Sequence, residues 1–354
     1  MLSRGLGMRF LLLNPFDAYA GSQRIGLDVL AALKAGGHSV RVKLGFGGNG
    51  FLSDLPSVVP DMRTGHIRLR KLLYPFWSLL TMVPVALHVL RGGMVWANTV
   101  YAVPPALLAA LLRPKRVVIH LHEAVFPRIF LPLLRVLSGR GVSLVCVSFD
   151  HARRIGLPVT VLYNPVKLPA SPIQSLRDRL LFVGTTQPIK GFALFVSVCR
   201  QLTGHPLRKV AYLSDEARHD PVLVADAQAA GVEVVFGQSD PSFLYRDGFL
   251  LLQASDPALS IETFSLVAVE AMAWQVPVAG AGSSVFSEVL SDAMAFNAIS
   301  RDPAAIGDAI KALYADPVRH DALRAACVHR RSMFSENAFS QKIGDIIQQL
   351  DVGV

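Results

Sequence analysis

Short β-rich runs alternate with helix-length apolar stretches twice over in this chain, and a proline cluster separates the two series. Residues 8–13 form an apolar run that ends at Asn14-Pro15. Ile25, Val29, Leu30 and Leu33 then recur at helical spacing until Gly36-Gly37 stops them, and residues 39–44 return to a strand-like run. Strand, helix, strand is a βαβ unit, which implies a parallel sheet. Residues 94–97, 116–120 and 143–147 continue the series. Pro165, Pro169 and Pro172, with Ser171 and Ser175, read as a linker. Beyond it, strands are expected at residues 179–183, 209–213, 233–236, 248–252 and 277–279, with helices between them. The expected fold is α/β in two lobes, residues 1–168 and 169–354, and the last helix is a candidate to pack back on the first lobe. Two such lobes would leave a cleft between the carboxyl ends of two parallel sheets, where open α/β sheets bind ligands.

Composition agrees with a folded two-domain chain: 354 residues, 52% hydrophobic and 17% charged. Cys146, Cys199 and Cys327 are odd in number and widely spaced, so they form neither a disulfide framework nor a zinc pattern, and a reducing compartment is expected. Charge is uneven. Residues 1–170 hold 20 Lys and Arg against 6 Asp and Glu, a net of +14, while residues 171–354 hold 15 against 20, a net of −5. Such a basic half suits a polyanion or an anionic membrane. No helix-turn-helix, zinc-finger or RNP signature supports nucleic acid, and the basic residues flank apolar runs, which favours a membrane surface. Arg4 and Arg9 precede a short apolar run that has no small-residue cleavage site, so the beginning does not read as a signal peptide. Residues 72–90 are long and apolar enough to span a bilayer. Pro75, Pro84 and the α/β pattern on either side favour a buried or membrane-surface element instead.

Three segments are candidates for chemistry. Gly45 to Gly50 matches G-x-G-x-x-G after a strand, but Pro56 and Pro60 follow where a dinucleotide site needs a helix, so a flexible loop is the better reading. Residues 183–191, Val-Gly-Thr-Thr-Gln-Pro-Ile-Lys-Gly, lie between a strand and a helix and are not a P-loop. Lys190 would stand near the first turn of the next helix, unfavourable with the macrodipole unless an anion binds nearby. In residues 260–273, helix formers run from Leu266 to Ala273, and Thr263 or Ser265 can cap them. Glu262 then precedes the helix and Glu270 lies about two turns into it, so a phosphate held by the amides of residues 264–266 would have a glutamate on either side. The competing reading has both glutamates solvated.

Glu262-x7-Glu270, with Ala-Met-Ala and Pro277-Val278 after it, resembles the E-x7-E signature of glycosyltransferase family 4, retaining enzymes of the GT-B fold with two Rossmann-like lobes. Gly184 and Lys190-Gly191 resemble that family's donor-phosphate loop. Gly21 lies where its first βα loop carries glycines, and His122-Glu123 resembles its His-acid pair. Val147-Ser148 and residues 162–166 resemble the segments that lead into its linker. Two positions depart from the pattern: Thr185 stands in place of an arginine and Ser265 in place of a glycine, with Arg24 and Arg218 as possible substitute cations.

The resemblance implies transfer of a sugar from a nucleoside diphosphate-sugar to a glycan or lipid-linked acceptor, in bacterial cell-surface polysaccharide or glycolipid synthesis, at the cytoplasmic membrane face. Glu270 would hold the ribose and Glu262 the donor-sugar hydroxyls. Gly184, Thr185, Lys190 and the Phe264, Ser265 and Leu266 amides would hold the diphosphate, with His122 near the transferred sugar. The alternative for His122 is a core histidine, and His120 shares its face if the segment is extended. No D-x-D motif is present, and no metal or other cofactor is expected. A sugar-nucleotide epimerase and a non-catalytic binding homologue are alternatives on the same fold. Loops after Leu213 and near Gly237 are candidates for base selection.

Overall fold

The computed structural model describes residues 7–18, 21–46, 50–52, 54–55, 67–127, 129–170, 176–216, 219–259, 261–298 and 300–351. It divides into two compact units, Met1–Pro165 with Glu336–Val354, and Val166–Ser335. The break therefore falls after Pro165 rather than after residue 168, because the Val166 amide donates to the Phe334 carbonyl (2.8 Å) and ties residue 166 into the second unit. That unit ends at Ser335 rather than at residue 354.

The first unit runs β1 (Arg9–Phe16), α1 (Gly21–Ala35), β2 (Ser39–Phe46), α2 (Ile67–Leu90), β3 (Met94–Asn98), α3 (Val103–Leu112), β4 (Val117–Leu121), α4 (Phe130–Gly139), β5 (Ser143–Cys146), α5 (Phe149–Ile155) and β6 (Thr160–Val161). Its sheet is wholly parallel, in the order β2-β1-β3-β4-β5-β6. Strands covered on both faces need continuous apolar runs, and every residue of β3 and β4 is buried.

The second unit runs β7 (Arg179–Gly184), α6 (Phe192–Gln201), β8 (Arg208–Leu213), α7 (Pro221–Ala229), β9 (Val232–Phe236), α8 (Pro241–Tyr245), β10 (Gly248–Gln253), α9 (Leu266–Ala273), β11 (Val278–Gly280), α10 (Val285–Val289), β12 (Met294–Asn297), α11 (Pro303–Tyr314) and α12 (Pro317–Arg330). Its sheet is also parallel, in the order β12-β11-β10-β7-β8-β9. Four of its helices open on the same device. Asp220, Asp240, Asp302 and Asp316 each accept a first-turn amide, and a proline follows at the first helical position, where it has no amide to waste. The C-terminal helix α13 (Glu336–Asp351) packs on α1 in the first unit and buries Phe339, Ile343, Ile346 and Ile347.

The G-x-G-x-x-G match is not a dinucleotide turn. Residues 47–49 lie outside the described residues, but Gly50–Leu52 forms a turn in which the Leu52 amide donates to Asp17 (3.0 Å). A Cβ at Gly50 would stand 2.3 Å from Asp17 Oδ1, and one at Gly45 2.4 Å from the Pro15 carbonyl. These glycines serve packing. Residues 72–90 belong to α2, whose flanking strands β2 and β3 both pair with β1 in one sheet. A helix that joins two strands of one sheet cannot carry the chain across a bilayer between them.

The second unit's core centres on Phe182, Phe192 and Phe195, with rings 5.2 to 6.4 Å apart. Phe195→Ala is expected to cost about 3–5 kcal/mol, measured as a lowered denaturant midpoint for this unit's transition.

Candidate active site

In the second sheet the chain winds outward from β7 through β8 to β9, then returns to lay β10 on the other side of β7. The connections after β7 and β10 leave in opposite directions, and a crevice opens between their carboxyl ends. β7 ends at Gly184, and the loop after it carries Thr185 and a single tight turn, Pro188–Lys190, before Gly191 caps α6. Gly191 has φ +71°, and a Cβ there would lie 1.8 Å from the Ala254 carbonyl. The Asp256 amide donates to the Ile189 carbonyl (3.0 Å), so the two loops are packed together. Arg301 locks the far side: its Nη1 donates to the carbonyls of Ala254 (3.1 Å), Ser255 (2.8 Å) and Ala281 (3.0 Å).

Helix α9 begins at the expected residue, and Ser265 is its N-cap, accepting from the Ala268 amide (3.3 Å). The amides of Leu266 and Val267 have no acceptor within the helix. Glu270 is 7% exposed and accepts from the Tyr245 hydroxyl (3.1 Å). It is not a solvated helix residue. Burying a carboxylate is costly unless its oxygens are hydrogen-bonded, so Tyr245 is part of the site, and nothing in the sequence spacing pointed to it. Glu262 is half-buried with Oε2 4.0 Å from Lys190 Nζ. Phe264 is buried against the Phe334 ring (5.9 Å). A Cβ at Gly184 would crowd the Phe182 ring (3.3 Å) and stand 3.9 Å from Lys190 Cβ. The second unit thus brings Gly184, Lys190, Glu262, Ser265 and Glu270 to one end of its sheet.

Thr185 is half-buried, and its Oγ1 accepts from the Gln187 amide at 3.4 Å. Of the substitute cations, Arg24 belongs to α1 in the first unit and Arg218 lies outside the described residues. After Leu213, His219 Nδ1 accepts from the Thr186 amide (3.2 Å) and its Nε2 is 3.2 Å from Ser214 Oγ.

The first sheet has its own switch point between β1 and β3, and a buried polar network fills it. Asn98 Nδ2 donates to Asn14 Oδ1 (2.9 Å) and to the Ser22 carbonyl (2.8 Å). Asn98 Oδ1 is therefore the oxygen that faces His122 Nε2 at 2.9 Å, and Nε2 carries the proton. Gly21 begins α1 one residue before Ser22. His120 and His122 do share a face, with rings 4.1 Å apart. Thr99 sits at φ +88°, a strained region for a β-branched residue. It is pinned by its amide bond to the His120 carbonyl (2.9 Å) and by the Glu123 carboxylate, which accepts from the Val100 and His122 amides at 3.1 and 3.2 Å. Burial and the nearby His151 push His122 down to about 3, so it is neutral at neutral pH. Burial raises the Glu123 carboxyl, while its backbone hydrogen bonds oppose that shift. The sequence singled out His122 and Glu123 but missed Asn98, which orients the His122 ring, and Asn14, which bonds Asn98.

Among the described residues, no group of three or more His, Cys, Asp or Glu side chains is placed to hold a metal ion.

Residues 177–316 match the family model described as Glycosyl transferases group 1. Among curated proteins, no sequence matches the chain. Solved structures of the same fold include a glycosyltransferase from Rickettsia africae, 15% identical over 97% of this chain and 98% of that one, with a TM-score of 0.76. HepE from Anabaena in complex with UDP is 17% identical over 97% and 100%, TM-score 0.76. Sucrose-phosphate synthase from Thermosynechococcus elongatus is 17% identical over 98% and 100%, TM-score 0.74. The two parallel six-stranded sheets with interleaved helices are those of GT-B glycosyltransferases. The matched domain and the fold together support a glycosyltransferase.

A half-buried histidine held neutral binds a proton more readily once unfolded, so stability is lost as pH falls from about 6.5 toward 3. Glu123, raised from its ordinary value, acts with the opposite sign above 4.5. His122→Gln is expected to flatten the decline in unfolding free energy between pH 6.5 and 5, read from urea titrations; an unchanged slope contradicts the assignment.

Proposed function

We propose that this protein transfers a sugar, with retention of anomeric configuration, from a nucleoside diphosphate-sugar to a glycan or lipid-linked glycan acceptor. The observation that carries this reading is the family match over residues 177–316, which spans every residue gathered at the crevice from Gly184 to Glu270. Tyr245 holds the Glu270 carboxylate so that its remaining acceptor capacity meets the two ribose hydroxyls. Glu262 takes sugar hydroxyls. Lys190, paired with Glu262 at rest, turns to the diphosphate when the donor binds. Together with the free amides of Leu266 and Val267 it neutralises charge that grows as the diphosphate departs, which is where fixed donors help most. The first unit's candidate catalytic residue is His122, a neutral imidazole. No covalent nucleophile is assigned.

The wider reading places the protein in bacterial cell-surface polysaccharide or glycolipid synthesis. It would act from the cytoplasm as a peripheral protein at the inner face of the cell membrane, with the basic first unit on anionic lipid and no nucleic-acid partner. Its support is the net charge of +14 in residues 1–170 and the apolar segment within them.

Thermal shift with UDP, GDP and ADP tests the donor site. UDP is the first probe, because Anabaena HepE is seen with UDP-glucose. One diphosphate should stabilise the protein, by about 2.7 kcal/mol at a hundredfold excess over Kd. Glu270→Ala should weaken that diphosphate roughly tenfold or more, the loss of a charge-assisted hydrogen bond worth about 1.5–3 kcal/mol. An equal shift in the variant sinks the ribose assignment. Incubation with donor alone should leave its sugar unisomerised, whereas an epimerised nucleotide-sugar would reverse the class.

Because protein cations carry the diphosphate charge in this reading, transfer measured after exhaustive chelation should match the untreated rate. Loss of activity that a divalent ion restores would contradict it.

A further inference from the structure

Away from both strand-end crevices, the first unit has a second polar cavity. It lies between the β1–β2 edge of the sheet and α2, with a volume of about 260 Å³. Arg9, Arg41, Lys43 and Arg91 line it with His88, and none of its lining residues among the described residues is acidic. Lys43 is 3% exposed, with Nζ 5.8 Å from the Trp77 ring centroid. Arg9 also donates to the Arg91 carbonyl just past the end of α2, and Arg116 donates to the Gly92 carbonyl (3.1 Å). A further cavity on the other side of this helix end is lined by Arg113, Lys115 and Arg116, again without an acid among the described residues. His88 hydrogen-bonds the Met94 carbonyl at 3.1 Å, and burial with the neighbouring Arg9 and Arg41 lowers its pKa. That arrangement leaves the cavity's positive charge to the arginines and Lys43.

The cavity adjoins an apolar surface. Leu72, Phe76, Leu79, Leu80, Val83, Leu87 and Leu90 are all exposed, Leu72 by 67% and Leu80 by 71%. Their spacing of 4, 3, 1, 3, 4 and 3 keeps them on one face of α2. The stripe runs from Leu72 to Leu90, about 27 Å of helix. Leu87 belongs both to the stripe and to the cavity wall, so the apolar face runs directly to the cationic mouth. A contiguous exposed apolar face of this length marks an interaction site. Polynucleotide would match the cations and leave the leucines in water. A purely apolar partner would match the leucines and strand the arginines. An anionic bilayer satisfies both at once, with acyl chains against the stripe and a phosphate in the cavity.

We propose that the cavity formed by Arg9, Arg41, Lys43 and Arg91 holds the phosphate of an anionic phospholipid while the apolar face of α2 lies in the lipid interface. This rests on the membrane contact proposed above, but not on the donor chemistry. Helices of this kind lie in the plane of the interface rather than crossing it, as the pairing of β2 and β3 with one strand requires. Each arginine near an anionic surface contributes about fivefold in partition, and high salt erases the gain.

The test is flotation of the full chain with vesicles of phosphatidylcholine, alone or mixed with phosphatidylglycerol, at low and high salt. Wild type should bind only the mixed vesicles at low salt. Arg41→Gln with Arg91→Gln should lose roughly 25-fold in partition, and Phe76→Ser with Leu80→Ser should also release the protein. Arg200→Gln with Arg208→Gln, two exposed cations of the second unit, should leave binding unchanged. The diphosphate thermal shift, run on every variant, shows that the chain is folded and separates this inference from the donor reading. Four outcomes overturn it: equal binding to neutral vesicles; cavity variants that float like wild type; inorganic phosphate bound by the soluble chain without any vesicle partition; or a self-associated chain that the stripe substitutions convert to monomer.

Discussion

Every strand in both sheets is parallel to its neighbours, and this dictates where a site can form. A parallel pair cannot be joined by a tight hairpin, so each connection crosses over and carries a helix against the sheet. The carboxyl ends of the strands therefore all point one way and all end in loops that lead into helices. Where the strand order reverses, at β1/β3 and at β7/β10, adjacent loops part and backbone amides and strand-end side chains line the gap. The Asn98–His122 network occupies the first of these gaps and the Lys190, Glu262 and Glu270 cluster the second.

The two gaps are filled differently. At β1/β3 side chains bond to one another: Asn98 satisfies Asn14 and Ser22 with its amide nitrogen, which leaves its oxygen for His122 and fixes that ring's tautomer. Glu123 spends its carboxylate on two backbone amides that hold a strained Thr99. At β7/β10 the loops are bound backbone to backbone. Gly191 lets them approach, the Asp256 amide seals the contact, and Arg301 gathers three carbonyls behind it. Lys190, Glu262 and Glu270 project from this frame, so little backbone entropy remains to be lost on binding.

The long elements were legible because buried parallel strands are runs of Val, Leu and Ile and the helices between them keep a 3.6-residue period. Short elements were not. β6 has two residues and β12 has four, too few for any periodicity to register. The glutamate spacing and the start of α9 could be read because capping and helix propensity are local. Tyr245 could not, because its partner Glu270 lies 25 residues away and a tyrosine ending a short helix has no local signature. Asn14 and Asn98 left a fainter signal, a polar residue closing each of two apolar strands, though it is visible mainly in hindsight. The Gly45 to Gly50 match, set aside in the sequence because prolines follow it, has a packing cause: Gly45 and Gly50 answer to close contacts with Pro15 and Asp17, a demand that produces the same letters as a phosphate loop.

The departures at Thr185 and Ser265 bear on the same electrostatic question. A glycine at residue 265 would have no side chain with which to cap α9. Serine supplies the cap, worth about a few tenths of a kcal/mol over glycine, and in doing so engages the Ala268 amide. The first turn then keeps Leu266 and Val267 as its outward donors rather than three. Without an arginine at residue 185, Lys190 carries positive charge at the crevice, and Glu262 already stands 4.0 Å from it. That pairing is not wasted. A half-exposed lysine alone at the start of α6 would work against the helix dipole, and the carboxylate offsets this while the crevice is empty. In the proposed reading a diphosphate takes over that compensation and frees Glu262 for sugar hydroxyls, so binding of the phosphates and of the sugar would be coupled through one ion pair.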